Sequence, residues 1–272
     1  MPSPADPNAV SIFGVGIRWY AVFILLGIAA AILLIRWLAR QRGMDATFPI
    51  DVAPWVVLAG MVGARGYYLL LRLDYFIAHP SEAFNLRLGG LTIHGAVAAG
   101  TLMLAFLCWR QRQPFLRWCD VIIPGVALGQ AIGRWGNWAN QEAFGRPTDL
   151  PWGVAIDAAN RPDQYAEFER FHPTFLYESL FNLVNAIVLS WLVLHATRLR
   201  LRDGDVLWLY LVFYGLARFV IEAMRTDSLY IGPFPAAHWI SAGMIVVGTV
   251  MLVIRHRPVE NGHHRPVTEP GE

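Results

Sequence analysis

The stretch AIGRWGNWANQE, residues 131–142, continues an apolar run that begins near Trp118. Arg134, Asn137, Asn140, Gln141 and Glu142 fall within nine residues of it, beside two glycines and two tryptophans. In a soluble loop such a mixture is ordinary. Inside hydrocarbon an arginine and three amides are expensive and point to function. Whether this run crosses a membrane therefore decides both the fold and the meaning of the polar residues.

Composition favours the membrane. Of 272 residues, 56% are hydrophobic and 15% are charged, where a soluble domain has roughly a quarter charged. Mean hydropathy is +0.41. The net charge of +2 is too small for a nucleic-acid partner. All the fixed positive charge is arginine, because the chain has no lysine. Cys108 and Cys119 fit no metal spacing, and no cleaved signal peptide is evident.

Seven apolar runs of roughly 18–23 residues are each long enough to cross ~30 Å of hydrocarbon as a helix. They cover 16–36, 51–71, 91–109, 118–138, 175–195, 205–224 and 236–254. The expected fold is an all-α membrane protein, a seven-transmembrane-helix bundle forming one polytopic domain over 1–257. The loops after spans one, three and five carry Arg36, Arg40 and Arg42; Arg110, Arg112 and Arg117; and Arg198, Arg200 and Arg202. Arg255, Arg257 and Arg265 follow span seven. With seven spans all of these lie on one side, and the positive-inside rule makes that side cytoplasmic. The N-terminus is then outside, the C-terminus and a tail over 258–272 are cytoplasmic, and 141–172 is a small periplasmic segment. That segment has six carboxylates against three arginines. The tail, with His263 and His264, reads as solvated chain rather than a metal site. Both cysteines fall near the cytoplasmic side, which argues against a disulfide.

The polar residues inside the spans share a depth. Arg65 in span two, Arg134 and Asn137 in span four, and Tyr214, Arg218, Glu222 and Arg225 along one face of span six all fall in the outer half. Tyr20 and His94 lie near the outer ends of spans one and three. The inner half is expected to hold almost no polar side chains. A pocket for an anion at outer-leaflet depth explains the pattern, and guanidinium groups suit a lipid phosphate because they stay charged and offer a fork of donors. Glu222 is expected to pair with Arg218 or Arg225 on its own helix. Gly133 and Gly136 are expected to let helices approach closely. Thr174, after His172 and Pro173, is a candidate helix cap. A neutral imidazole at His94 could act as a general base.

These residues also carry a resemblance. GRWGNWANQEAFGRPT, residues 133–148, resembles the signature of the prolipoprotein diacylglyceryl transferase family, matching at Gly133, Arg134, Gly136, Asn137, Asn140, Glu142, Gly145 and Thr148. IRWYAV at 17–22, GARGYY at 63–68, GGLTIHG at 89–95, HPTFLYES at 172–179 and YGLARFVIEAMRTD at 214–227 resemble further motifs of that family, in family order. Ala96 stands where the family commonly has a second glycine, and His238 near a place where it often has glutamine.

The resemblance implies an enzyme of the bacterial cytoplasmic (inner) membrane. It would move the diacylglyceryl group of phosphatidylglycerol, a membrane lipid, to the thiol of the lipobox cysteine of prelipoproteins, releasing glycerol phosphate. No cofactor or metal is implied. His94, Arg134 and Arg218 are the candidate catalytic residues. Tyr20, Arg65, Asn137, Asn140, Glu142, Tyr214, Glu222 and Arg225 join Arg134 as candidate substrate contacts. The rival reading is an anion or lipid transporter without covalent chemistry. It calls for polar residues through the whole depth or for an inverted repeat.

Overall fold

The computed structural model describes residues 4, 8–12, 15–85, 89–226 and 228–257. The tail expectation, with His263 and His264, lies outside them. The described residues hold seven long helices: α1 Trp19–Gln41, α2 Phe48–Leu71, α4 Ile93–Arg110, α5 Phe115–Ala139, α6 Thr174–Leu194, α7 Asp205–Glu222 and α8 Ala236–His256. A short α3, Leu73–Ala78, follows α2. Six of the long helices are long and apolar enough to cross a membrane. The other, α7, is 18 residues long and carries Asp205, Arg218 and Glu222. This is a multi-pass membrane protein, and the expected spans agree with the helices to within a few residues.

Two differences have local causes. Helix α1 starts later than expected because Val15–Arg18 (β2) pairs antiparallel with Asn8–Ile12 (β1). It then runs on to Gln41, and Arg36 reaches back to the carbonyl of Ala46 at 3.2 Å. Long arginine stems tolerate this interface position. The 141–172 segment, which shows no periodicity, is built from a two-residue pair, Val154–Ala155 (β3) with Arg170–Phe171 (β4), and short 3-10 turns. A last hairpin, Tyr230–Ile231 (β5) with Phe234–Pro235 (β6), joins α7 to α8.

The helices pack chiefly as α1 on α5, α2 on α4, α5 on α6 and α7 on α8. Close approach comes from glycines that the sequence reading did not single out. A Cβ at Gly27 would sit 2.9 Å from the Gly129 carbonyl oxygen, and one at Gly63 would sit 2.5 Å from that of Gly95. Gly133 is corrected: a Cβ there meets nothing within 4 Å. Gly136 instead admits the Tyr20 ring, 2.7 Å from where its Cβ would be.

At the arginine-rich end the bundle is filled with apolar side chains. Trp118, Leu38, Ala39, Cys108 and Leu189 are fully buried, and the Phe48 and Trp118 rings stack at 4.4 Å. The outward faces carry Leu25, Leu33, Val62, Ile187 and Val220 into the surroundings. An apolar exterior over a partly polar interior is the arrangement a lipid solvent requires.

Three helices end in the same hydrogen-bonded turn. After α1, α4 and α5 the chain passes through a left-handed residue, at Gly43, Arg112 and Gln141. In each case the next amide bonds back to the carbonyl five residues earlier: Met44 to Ala39, Gln113 to Cys108 and Glu142 to Asn137. This caps orphan carbonyls at the helix end, and glycine is its usual left-handed residue. Gln141 does the job from within the 131–142 stretch.

Candidate active site

The residues that give α6 and α7 their sidedness meet at the head end of the bundle. Glu178, on the first turns of α6, is the centre. Its Oε2 takes the Arg134 guanidinium from α5, and its Oε1 takes Arg218 at 2.9 Å and Arg225 at 3.4 Å from the α7 side. Glu222 Oε2 lies 2.6 Å from Arg218 Nη2 and 3.9 Å from Arg225 Nε. Both carboxylates are almost wholly buried, at 3% and 4% exposure. Arg134 is the most accessible of the three cations.

Three guanidinium groups converge on two buried carboxylates in a poorly hydrated place. Removing one partner from such a cluster is costly, since it strands a charge away from water. Arginine does not relieve the strain by losing its proton. The three arginines therefore keep their charge and are held in place by the two carboxylates.

The 131–142 stretch builds the wall beside it. Arg134 Nη1 donates to Asn137 Oδ1 at 3.4 Å. Asn137 and Asn140 both donate to Glu142 Oε1, at 2.9 and 3.3 Å. Trp135 Nε1 donates to Ser179 Oγ at 3.1 Å, and that hydroxyl donates to the Ala131 carbonyl at 2.8 Å, which pins α5 to α6. The head docks on the end of α7 through the Arg146 amide and the Met224 carbonyl at 2.9 Å. Tyr214 stacks on Tyr210 at 5.6 Å, and Tyr210 donates to Gln130 at 2.9 Å.

Three expected positions are corrected. Arg65 is not brought to the cluster. Its Nε donates to the Ala83 carbonyl at 2.9 Å, Nη1 to Gly89 and Gly90, and Nη2 to Glu82 and Asn85. Five donors meet five carbonyls, so the guanidinium ties residues 82–85 to residues 89–90. Tyr68 and Phe76 cover it, with centroids at 5.6 and 5.4 Å. Thr174 is no helix cap, because Pro173 occupies that position and the Thr174 hydroxyl donates to the Ala143 carbonyl. The expected emptiness beyond the site also fails. Tyr210 and Gln130 are hydrogen-bonded to each other, and Asn182 and Asn185, further along α6 from Glu178, are 2% and 3% exposed. His94 is exposed at the start of α4, with no hydrogen bond or ion pair among the described residues.

Glu178 was missed. Its signal was present: it is the only acidic or basic residue in α6, and it sits in the quoted HPTFLYES motif. A lone carboxylate in an apolar helix asks for a buried cation, and three were already in view.

A multi-pass helical bundle with a buried arginine–carboxylate cluster beside the 141–172 segment defines a membrane protein with a charged interior site. The family model described as prolipoprotein diacylglyceryl transferase matches residues 7–254. A phosphatidylglycerol–prolipoprotein diacylglyceryl transferase of Synechococcus elongatus is 42% identical over 249 residues, 91% of this chain and 86% of the relative. The proteins of that name from Gloeobacter violaceus and Finegoldia magna are 43% and 35% identical, over 90% and 91% of this chain and 91% and 95% of their own. The chain belongs to the prolipoprotein diacylglyceryl transferase family.

Proposed function

We propose that this protein transfers the diacylglyceryl group of phosphatidylglycerol to the lipobox cysteine thiol of prelipoproteins, from a seven-span bundle in the bacterial cytoplasmic membrane. Family membership supports the reaction. The observation that carries the site is the convergence of three guanidinium groups on the buried Glu178, with Arg134 the most accessible of them and so the donor a lipid phosphate meets first.

The thiol sulfur attacks the glycerol carbon next to the phosphate. A carbon–sulfur bond forms, the carbon–oxygen bond breaks, and its electron pair leaves with glycerol phosphate. The phosphate thus gains a second negative charge in the transition state. Arg134 and Arg218, already fixed by carboxylates, stabilise that charge without reorganising, and fixed donors in a dry site act strongly. Arg225, Glu178 and Glu222 hold them. Asn137, Asn140, Glu142, Tyr20 and Tyr214 contact or support the headgroup. His94 takes the thiol proton: its imidazole is uncommitted, so either ring nitrogen is available as base. Arg65 acts on the substrate only through the loop it holds.

The topology follows the arginines, with the N-terminus outside and the C-terminus cytoplasmic. Helix α7 counts as a span, since 18 residues reach ~27 Å and its internal charges are paired in the cluster. The transporter alternative is not favoured by the family match.

The test is glycerol phosphate release in proteoliposomes of phosphatidylglycerol with a lipobox peptide. Release should require the peptide thiol and fail in Arg134→Ala. Release without the thiol would mean hydrolysis, and undiminished transfer by Arg134→Ala would remove that residue from the site.

A further inference from the structure

Gln141 occupies the left-handed position just past α5, with φ of 52°. Glycine takes such a backbone without strain, whereas a Cβ crowds it. The side chain is committed elsewhere. Its Nε2 donates to Asp157 Oδ2 at 2.7 Å, and its Oε1 accepts the Asp157 amide at 2.7 Å and the Asn160 side chain at 3.3 Å. The amide is buried, so these bonds are not shared with bulk water. One glutamine thus grips both the main chain and the carboxylate of a head residue.

The next residue carries the grip inward. Glu142 takes Asn137 at 2.9 Å, Asn137 takes Arg134 at 3.4 Å, and Arg134 pairs with Glu178. A contact path therefore joins Asp157 in the head to the charge cluster through consecutive residues of one turn. We propose that Gln141 is a positioning residue for diacylglyceryl transfer, clamping the head to α5 so that Glu142 and Asn137 hold the Arg134 guanidinium toward the phosphate. This rests on the reading of Arg134 as a phosphate contact.

Gln141→Gly keeps the turn and removes the clamp. With phosphatidylglycerol proteoliposomes and a lipobox peptide, kcat is expected to fall about tenfold while KM for the lipid moves less than about twofold, as for an interaction made in the transition state. In an Asn137→Ala background the same substitution should add less than about twofold, because the path is already cut. Gln141→Glu combined with Asp157→Asn reverses donor and acceptor across the same contact and should return kcat to within about threefold of wild type. Protection of residues 157–170 from protease checks that each variant keeps its head folded.

Wild-type kcat in Gln141→Gly, full additivity with Asn137→Ala, or no rescue by the reversed pair would overturn the proposal. Wild-type transfer by Arg134→Ala would instead overturn the reading beneath it. An inactive Arg134→Ala beside an unimpaired Gln141→Gly removes the clamp alone.

Discussion

Glu178 meets Arg218 at 2.9 Å across the α6–α7 boundary, and among the described residues no other carboxylate holds three arginines. That contact makes the site one object rather than three separate charges. Glu178→Gln keeps the shape and removes the charge, leaving three guanidinium groups facing one carboxylate. Breaking a buried pair costs about 3–5 kcal/mol. A lowered thermal midpoint in detergent, with transfer reduced at temperatures where the fold survives, is the expected result. An unchanged midpoint would mean the cluster is better hydrated than its burial indicates.

Arg218→Ala should lower kcat by about 10²–10³, the usual loss when one transition-state donor is removed. Arg218→Lys should not recover it. An ammonium cannot reach Glu178 and Glu222 from two separate nitrogens as the guanidinium does. The check is single-turnover transfer; a lysine variant near wild-type rate would reduce the role of Arg218 to bulk charge.

Arg65→Lys exchanges five fixed donors for three on a point charge. The 82–90 loop should become protease-sensitive, and thermal stability should fall. Thiol-dependence of release should persist. Loss of transfer with an intact loop would return Arg65 to the list of substrate contacts.

Two glycines test the packing in opposite directions. Gly63→Ala drives a methyl group against the Gly95 backbone and the Ala99 side chain, and overpacking of this kind costs about 1–3 kcal/mol. Gly133→Ala meets open space, and alanine is the better helix former by roughly 0.8–1 kcal/mol, so stability should hold or rise. Midpoints in the reverse order would show that the two helix crossings had been misjudged.

Much of this was legible in the sequence. The long apolar helices were, because hydrocarbon demands unbroken apolar runs. The match between Arg134, Asn137, Arg218, Glu222 and Arg225 was also legible, as polar residues at a shared depth. What was hidden involves partners without a sequence signature. Arg65 is bound by backbone carbonyls, which every residue has. The left-handed turn at Gln141 looks like any polar residue until its φ is known. Asn182 and Asn185 read as incidental because amides carry no charge to demand explanation. Glu178 was readable and was passed over because its motif drew attention to His172.

The stacked Phe48 and Trp118 rings, with Leu38 and Leu189 around them, have a consequence for the cell's energy supply. Trp118 lies near one end of α5 and Arg134, in the charge cluster, near the other, so this dry plug sits well away from the cluster. A bacterial membrane holds a voltage, and moving one elementary charge through 100 mV takes about 2.3 kcal/mol. Any continuous wet channel through the bundle would drain that store. By filling that end with two rings and aliphatic side chains, the protein can keep a charged site on one side of an electrically insulating floor.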